Sequence, residues 1–299
     1  MPHDHHHHID PKAGDARVAW AIAVNMGLTV VQVIGGILSG SLALIADALH
    51  NFSDAISLII AFAARKIARR PADASMTFGY GRAETVAALI NYTTLIIIGL
   101  YLLYEATMRV FAPEPVDGWL VVWIAAVALI VDLVTAALTY TMSKSSMNIR
   151  AAFLHNLADA LGSVAVIIAG TAILLFDWRL IDPLITFLIA GYILWQSFRE
   201  IGPVIRVLMQ GSPPELDVNA LLDDMRSVEG VSSVHHLHVW MMEENQTALS
   251  AHIVTETELG TTRNELKSML KSKHEIAESF LELEAPSDAC DHPHTIGHG

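Results

Sequence analysis

Six stretches of the chain are apolar almost without a break, and each approaches about 20 residues, the length that crosses a ~30 Å hydrocarbon layer as a helix. They fall at about 17–38, 42–64, 84–108, 118–141, 151–176 and 180–198. Only Ser39-Gly40-Ser41 separates the first from the second, which predicts a tight helical hairpin. The pattern changes at about Gly211, where Pro213 and Pro214 mark a boundary. Beyond it, residues 215–228 predict a helix. Residues 234–242 (VHHLHVWMM) and 248–255 (ALSAHIVT) have strand character, and Glu243-Glu244-Asn245-Gln246 supplies a turn between them. Residues 261–277 predict a second helix and 280–284 (FLELE) a third strand. The order αββαβ predicts a small two-layer α+β module, with the tail from Pro286 onward expected to be flexible.

Orientation follows from Lys and Arg in the short loops, which mark the cytoplasmic side. Arg65, Lys66, Arg69, Arg70 and Arg82 lie between the second and third spans, Lys144 and Arg150 between the fourth and fifth, and Arg199 and Arg206 after the sixth. The opposite side carries Arg109 and Arg179. Both termini are therefore expected in the cytoplasm, in a multi-pass protein of the cell membrane, a bacterial inner membrane. The N-terminus lacks the basic start and small-residue cleavage site of a secretory signal.

Composition sharpens this picture. Hydrophobic residues make up 53% of the chain and charged residues 16%. An ordinary soluble domain carries about 25% charged residues. A net charge of −13 argues against a nucleic-acid partner, because phosphate binding needs clustered Lys and Arg. The one cysteine, Cys290, excludes an intrachain disulfide framework, thiolate zinc fingers and iron–sulfur clusters. The 15 histidines are placed unevenly. Five lie in the first eight residues and three in the last eight, His235, His236, His238 and His252 cluster, and only His50 and His155 lie inside long apolar segments.

Those two histidines carry the chemistry. The second span contains Asp47-Ala48-Leu49-His50-Asn51-Phe52-Ser53-Asp54, and the fifth contains His155-Asn156-Leu157-Ala158-Asp159. The shared pattern is an internal repeat on two helices that must run in opposite directions, as in a transporter built from inverted halves. His and Asp at i and i+4 share a helix face, so each helix presents one imidazole and one carboxylate. Together His50, Asp54, His155 and Asp159 offer two nitrogens and two oxygens, a set suited to tetrahedral Zn²⁺. Mg²⁺ asks for mostly oxygen in an octahedron, and Cu⁺ asks for sulfur, while Co²⁺ and Ni²⁺ stay open. The competing readings are polar groups that glue helices together, or a pure proton relay; glue comes at less cost from Ser, Asn or Gln. Asp47 lies near the same face, as an acceptor behind the site, a proton path or a structural group. Asn25, Gln32 and Asn91 read as packing hydrogen-bonders, and Asp132 as a candidate for proton or metal coupling.

The stretch Gly40-Ser41-Leu42-Ala43-Leu44-Ile45-Ala46-Asp47-Ala48-Leu49-His50 through Asp54 resembles the second span of the cation diffusion facilitator family, in its zinc-transporter branch. Phe78-Gly79-Tyr80-Gly81-Arg82-Ala83-Glu84, the His155 and Asp159 pair, and His236-Leu237-His238-Val239-Trp240 resemble it too, so the likeness covers nearly the whole chain. It implies a homodimeric Zn²⁺/H⁺ antiporter whose transport site is His50, Asp54, His155 and Asp159, with a cytoplasmic, ferredoxin-like metal-binding domain. It also implies His235, His252 and Glu284 as cytoplasmic ligands, with Asp288, Cys290 and His292 available to complete a site, across the dimer if need be. On regular strand alternation His236 and His238 share one face and His235 takes the other, and His238 beside Trp240 reads as structural. Some family members hold a further metal in the loop after the second span; here that loop has Asp73 but no histidine, so no tight loop site is expected.

The expectation is thus a polytopic α-helical membrane protein of six transmembrane helices plus a C-terminal cytoplasmic α+β domain (αββαβ). Residues 1–16 form a His-rich flexible segment, 17–210 the transport domain and 211–299 the metal-binding domain with its tail. Its partners are membrane lipid, divalent metal ions, protons and a second copy of itself, with Zn²⁺ as both transported substrate and regulatory ligand. No Walker A pattern supplies ATP chemistry and no His-Glu-x-x-His supplies an intramembrane protease, so an enzyme is not expected. The alternatives are a membrane-embedded metal sensor, or an exporter with Co²⁺ or Ni²⁺ as main substrate.

Overall fold

The computed structural model describes residues 26–140, 147–243, 246–290 and 293–297, apart from the side chains of 58, 138, 139, 147–152 and 155. The His-rich segment, Asn25 and the start of the first span, Lys144, the centre of the turn at Glu244 and Asn245, and His292 lie outside the described residues.

The membrane-type helices are α1 (Met26–Ser39 as described), α2 (Leu42–Ala68), α3 (Ala83–Phe111), α4 (Gly118–Tyr140), α5 (Met147–Phe176) and α6 (Ile181–Leu208). Among the described residues, α2 to α6 are the five helices long and apolar enough to cross a membrane. α6 continues about ten residues past its expected end, through Arg199, Glu200 and Arg206, with Pro203 inside it. Hydropathy marks only the lipid-embedded part of a helix, while backbone hydrogen bonding carries it on into water.

The chain divides into two compact units, residues up to 62 with 90–200, and residues 63–89 with 201–299. In the first, α2 is central. Leu42 and Ala46 pack on Leu95, Leu102 and Ala106 of α3 and on Ala190 and Ile193 of α6. Ala43 and Leu44 pack on Val121 and Ala125 of α4, Val166 and Ala169 of α5, and Ile185 of α6. The many alanines let backbones approach closely, which is how helices associate where lipid is as apolar as leucine. The α1–α2 turn depends on Gly40, which sits at φ +71°. That left-handed conformation suits glycine, and a Cβ there would lie 2.6 Å from the Pro115 carbonyl oxygen.

The start of α2 is capped from another helix. Asp182, at the first turn of α6 and 1% exposed, accepts hydrogen bonds from Ser41 Oγ (2.5 Å), Leu42 N–H (2.8 Å) and Ala43 N–H (3.3 Å). Ser41 Oγ in turn accepts from Leu44 N–H at 3.1 Å, a local N-cap. Arg109 of α3 donates to the Gly40 carbonyl and lies 3.8 Å from Asp182. The orphan N–H groups of a buried helix start are thereby satisfied by a carboxylate whose charge is balanced.

The second unit holds α7 (Val218–Arg226), β1 (Val231–Glu243), β2 (Gln246–Thr255), α8 (Leu259–His274) and β3 (Glu278–Glu284), the αββαβ order read from the sequence. Asp217 caps α7 by accepting from Asn219 and Ala220 N–H, and α8 ends at Glu275, which takes the left-handed conformation. The sheet order is β1-β2-β3, with β1 antiparallel and β3 parallel to β2. Leu221, Leu222 and Met225 of α7 and Leu266 and Leu270 of α8 close on Val234, Leu237, Leu249, Ala251 and Ile253. A fully buried side chain of this kind contributes about 1.5–3 kcal/mol.

Regular alternation in β1 is interrupted. His235 pairs with His252 and His238 with Ser250, so β1 carries more residues than the facing stretch of β2, and His236 sits at φ +49°. This is a β-bulge. The expectation that His235 and His236 take opposite faces therefore fails: both side chains turn toward His252, with ring centroids 5.3 Å and 5.2 Å from it. The described end of the tail meets β1, where Leu237 bridges to Ile296.

Candidate metal centres

On α2, His50 and Asp54 stand one turn apart on the face turned toward α5. His50 Nε2 is 3.7 Å from Asp54 Oδ2 and 3.5 Å from Asp159 Oδ1 of α5, and the three candidate ligand atoms lie within 4.8 Å of one another. Two ligand atoms about 2.1 Å from one tetrahedral ion stand about 3.4 Å apart. The separations of His50 from Asp54 and from Asp159 are close to that spacing. His155 occupies α5 one turn before Asp159, and its side chain lies outside the described residues.

The surroundings hold this cluster in place. Gln32 of α1 donates to Asp47 Oδ2 at 2.7 Å, and Asn51 donates to Gln32 Oε1 at 3.2 Å. The Asn of the repeated motif thus ties α2 to α1 beside His50. Gly162, one turn beyond Asp159, lets α5 come close: a Cβ there would lie 3.1 Å from Asp47 Oδ1. Ser163 donates to Asp132 at 3.1 Å, which joins α5 to α4, and Asn91 bonds Ser57 of α2. Tyr192 of α6 meets the His50 ring edge-on at 6.5 Å, a neighbour with no local sequence signal.

The second cluster is built by the sheet. β1 brings His235, β2 His252 and β3 Glu284, and Cys290 joins them from the segment beyond β3, with ligand atoms within 4.8 Å of one another. His252 Nδ1 lies 2.5 Å from Glu284 Oε1, His235 Nε2 3.4 Å from Glu284 Oε2, and Cys290 Sγ 3.8 Å from His252 Nδ1 and 3.7 Å from Glu284 Oε1. His235 and Glu284 are buried, yet among the described residues both ring nitrogens of His235 and Oε2 of Glu284 find no hydrogen-bond partner. Buried polar atoms left without hydrogen bonds are costly, and an ion offers what they lack. Burial pushes the His235 imidazole pKa down, against the opposing pull of the Glu284 carboxylate, and the neighbouring His236 and His252 push it down further. A neutral ring is the form that binds metal. Imidazole, carboxylate and thiol at these separations fit Zn²⁺.

Asp288 stays exposed and outside the cluster; its N–H bonds the Ala285 carbonyl and its carboxylate accepts from Ser287 Oγ. His238 is also exposed and stands apart. In the loop after α2, Asp73 accepts from Ser75 N–H, Ser75 Oγ, Met76 N–H and the Tyr80 hydroxyl. The Ser75 and Tyr80 hydroxyls, with those backbone N–H groups, hold its carboxyl well below the usual carboxylate range. The carboxylate is engaged in shaping its own turn.

A helical membrane bundle with one imidazole–carboxylate cluster between its helices, joined to an α+β domain with a second, defines a class: membrane proteins that handle divalent metal ions. Residues 18–209 match the family described as the cation efflux transmembrane domain, and residues 213–285 match the cation efflux protein cytoplasmic domain. The chain belongs to the cation efflux, or cation diffusion facilitator, family. It is a cation efflux transporter, not an enzyme, and a multi-pass membrane protein whose C-terminal domain is cytoplasmic. A relative in Bacillus velezensis, named cadmium, cobalt and zinc/H(+)-K(+) antiporter, is 35% identical over 99% of this chain and 95% of its own. The metal cation efflux system protein CzcD of Cupriavidus metallidurans is 33% identical over 96% and 92%, and the zinc transporter ZitB of Escherichia coli 33% over 95% and 93%. A solved metal-bound C-terminal domain of the CzcD transporter matches 23% of this chain and 99% of that one at 28% identity, with a TM-score of 0.22.

Proposed function

We propose that this chain exports Zn²⁺ from the cytoplasm in exchange for protons, by alternating access around a tetrahedral site of His50, Asp54, His155 and Asp159. The observation that carries this reading is the convergence of His50, Asp54 and Asp159 at the separations of ligands to one ion. The transport domain spans 17–210 and the cytoplasmic domain 211–299, and the protein works as a homodimer in a bacterial inner membrane with both termini inside. The names of the relatives support zinc and proton exchange.

The chemistry couples the two ions. A metal binds neutral imidazole and ionised carboxylate, so loading Zn²⁺ displaces protons, and unloading it lets protons return. Imidazole titrates at a reference pKa of about 6.5, within the range that cells span. After release on the outer side the site takes up at least one proton and returns it inward. Export then draws on the inward proton gradient. The cytoplasmic cluster of His235, His252, Glu284 and Cys290 is a resident regulatory Zn²⁺ site.

A broader substrate range has support in the relative named for cadmium, cobalt and zinc, and imidazole suits Co²⁺ and Ni²⁺ as well. Reconstitution in liposomes with an imposed pH gradient tests the proposal. Uphill Zn²⁺ movement that stops when the gradient collapses is the expected result. Metal binding without net flux would make the protein a sensor, and flux indifferent to the gradient would end the antiport mechanism.

A further inference from the structure

Strand β1 pairs with β2 along one edge. Along its other edge the bulge at His236 and Leu237 turns backbone groups outward, and the end of the chain meets them. His236 N–H donates to the His294 carbonyl at 2.7 Å, Leu237 N–H donates to the Thr295 carbonyl at 3.1 Å, and Gly297 N–H donates to the Leu237 carbonyl at 3.2 Å. His236 Nδ1 also contacts the Gly297 carbonyl at 2.9 Å. An exposed strand edge is a ready template for extended chain, and here the occupant is the protein's own residues 294–297.

The path to that edge crosses the sheet. Glu284 ends β3, on the far side of the order β1-β2-β3. The chain beyond it therefore spans two strand spacings of about 4.8 Å each. On the way, Cys290 Sγ sits 3.8 Å from His252 Nδ1 of β2, the middle strand. Residues 294–296 bury little, since their side chains are exposed, so backbone hydrogen bonds hold them. A few such bonds at about 1 kcal/mol each barely offset the entropy of ordering four residues. Fixing Cys290 four residues upstream would raise the local concentration of this segment at the β1 edge.

Resting on the reading of the cytoplasmic cluster as a Zn²⁺ site, we propose that residues 294–297 are a strap on β1, cinched through Cys290 by that ion. The Cys290 thiol gives up its proton to solvent, its sulfur joins His235, His252 and Glu284 on the metal, and residues 294–297 are held on the edge of β1. Without metal the strap detaches and the N–H groups of His236 and Leu237 face water.

Hydrogen exchange on the full-length protein in detergent, with Zn²⁺ alone as the probe, tests this. Zn²⁺ is expected to slow exchange at His236 and Leu237 by at least tenfold, and Cys290→Ser to abolish that protection. Gly297→Pro removes a donor and a left-handed residue without touching a metal ligand. It is expected to lose the protection, keep the ion, and bind Zn²⁺ a few-fold more weakly, because linkage is reciprocal. Equal exchange with and without an ion that His252→Ala removes would overturn the strap while leaving the metal site intact. Unchanged metal content in His252→Ala would overturn both.

Discussion

Replacing Asp182 with alanine removes three hydrogen bonds at a stroke, those from Ser41 Oγ, Leu42 N–H and Ala43 N–H. All three bonds are buried, so water does not replace the lost acceptor, and each carries about 1 kcal/mol, somewhat more for a charged acceptor. Arg109 also loses a neighbouring carboxylate at 3.8 Å. The sum is about 3 kcal/mol or more against Asp182→Ala. Asp182→Asn keeps one acceptor oxygen and should lose about half of that. The cap stands about two turns of α2 before His50. Denaturation in mild detergent, followed by tryptophan fluorescence, gives the stability. A change of only about 0.5 kcal/mol in Asp182→Ala, the size of an ordinary surface substitution, would refute the role of this carboxylate in securing α2.

Asp159→Ala should reduce Zn²⁺ flux in proteoliposomes to the protein-free background while the protein still inserts and elutes as wild type; appreciable flux would remove Asp159 from the ligand set. In the cytoplasmic domain, Asp224 lies 2.6 Å from Lys273 Nζ and 2.8 Å from His274 Nε2, and their hydrogen bonds and charges hold its pKa below the usual carboxylate value. A depressed folded pKa gives stability that is present above the unfolded value of about 3.9 and is lost as pH falls through the folded one. Asp224→Asn should therefore be less stable at neutral pH and show a flatter acid limb in thermal melts from neutral to strongly acidic pH. An unaltered pH profile would deny the pair any role.

How much is legible in the residues differs between the two halves of the molecule. Helices α2 to α6 announce themselves because a membrane demands long apolar runs, and the i, i+4 pair in α2 can be read directly from helical periodicity. Asp182 carries no such signal, because its three partners lie about 140 positions away in the chain, and no local pattern records such a pairing. Asn51 reads as half of a repeat, yet its contact is Gln32, a residue the same pattern marks only as polar. Period-two alternation puts His236 on the wrong face because it assumes an unbroken ladder, and a bulge at a non-glycine residue in the left-handed region is not encoded in composition. The tail from Pro286 reads as flexible, whereas residues 294–297 meet β1 through backbone atoms, which every sequence carries alike.

The two proposed metal sites differ in their donors, which bears on which of them would hold an ion as cargo and which as a resident. A carrier must release its ion each cycle, so its ligands should be adequate rather than optimal and open to water in turn. His50, Asp54 and Asp159 retain side-chain exposures of 12%, 24% and 9%. In the cytoplasmic cluster the corresponding exposures are 3% for His235, 23% for His252 and 8% for Glu284, so burial alone does not separate the two sites. What separates them is the donor set: Cys290 gives the cytoplasmic cluster a thiolate, a softer donor than any in the membrane set. Binding there should accordingly be tighter than at the transport site. If the cytoplasmic cluster is the regulatory site proposed above, it would then fill before the carrier turns over at speed, which is the order a transporter needs if cytoplasmic Zn²⁺ is to switch on its own removal.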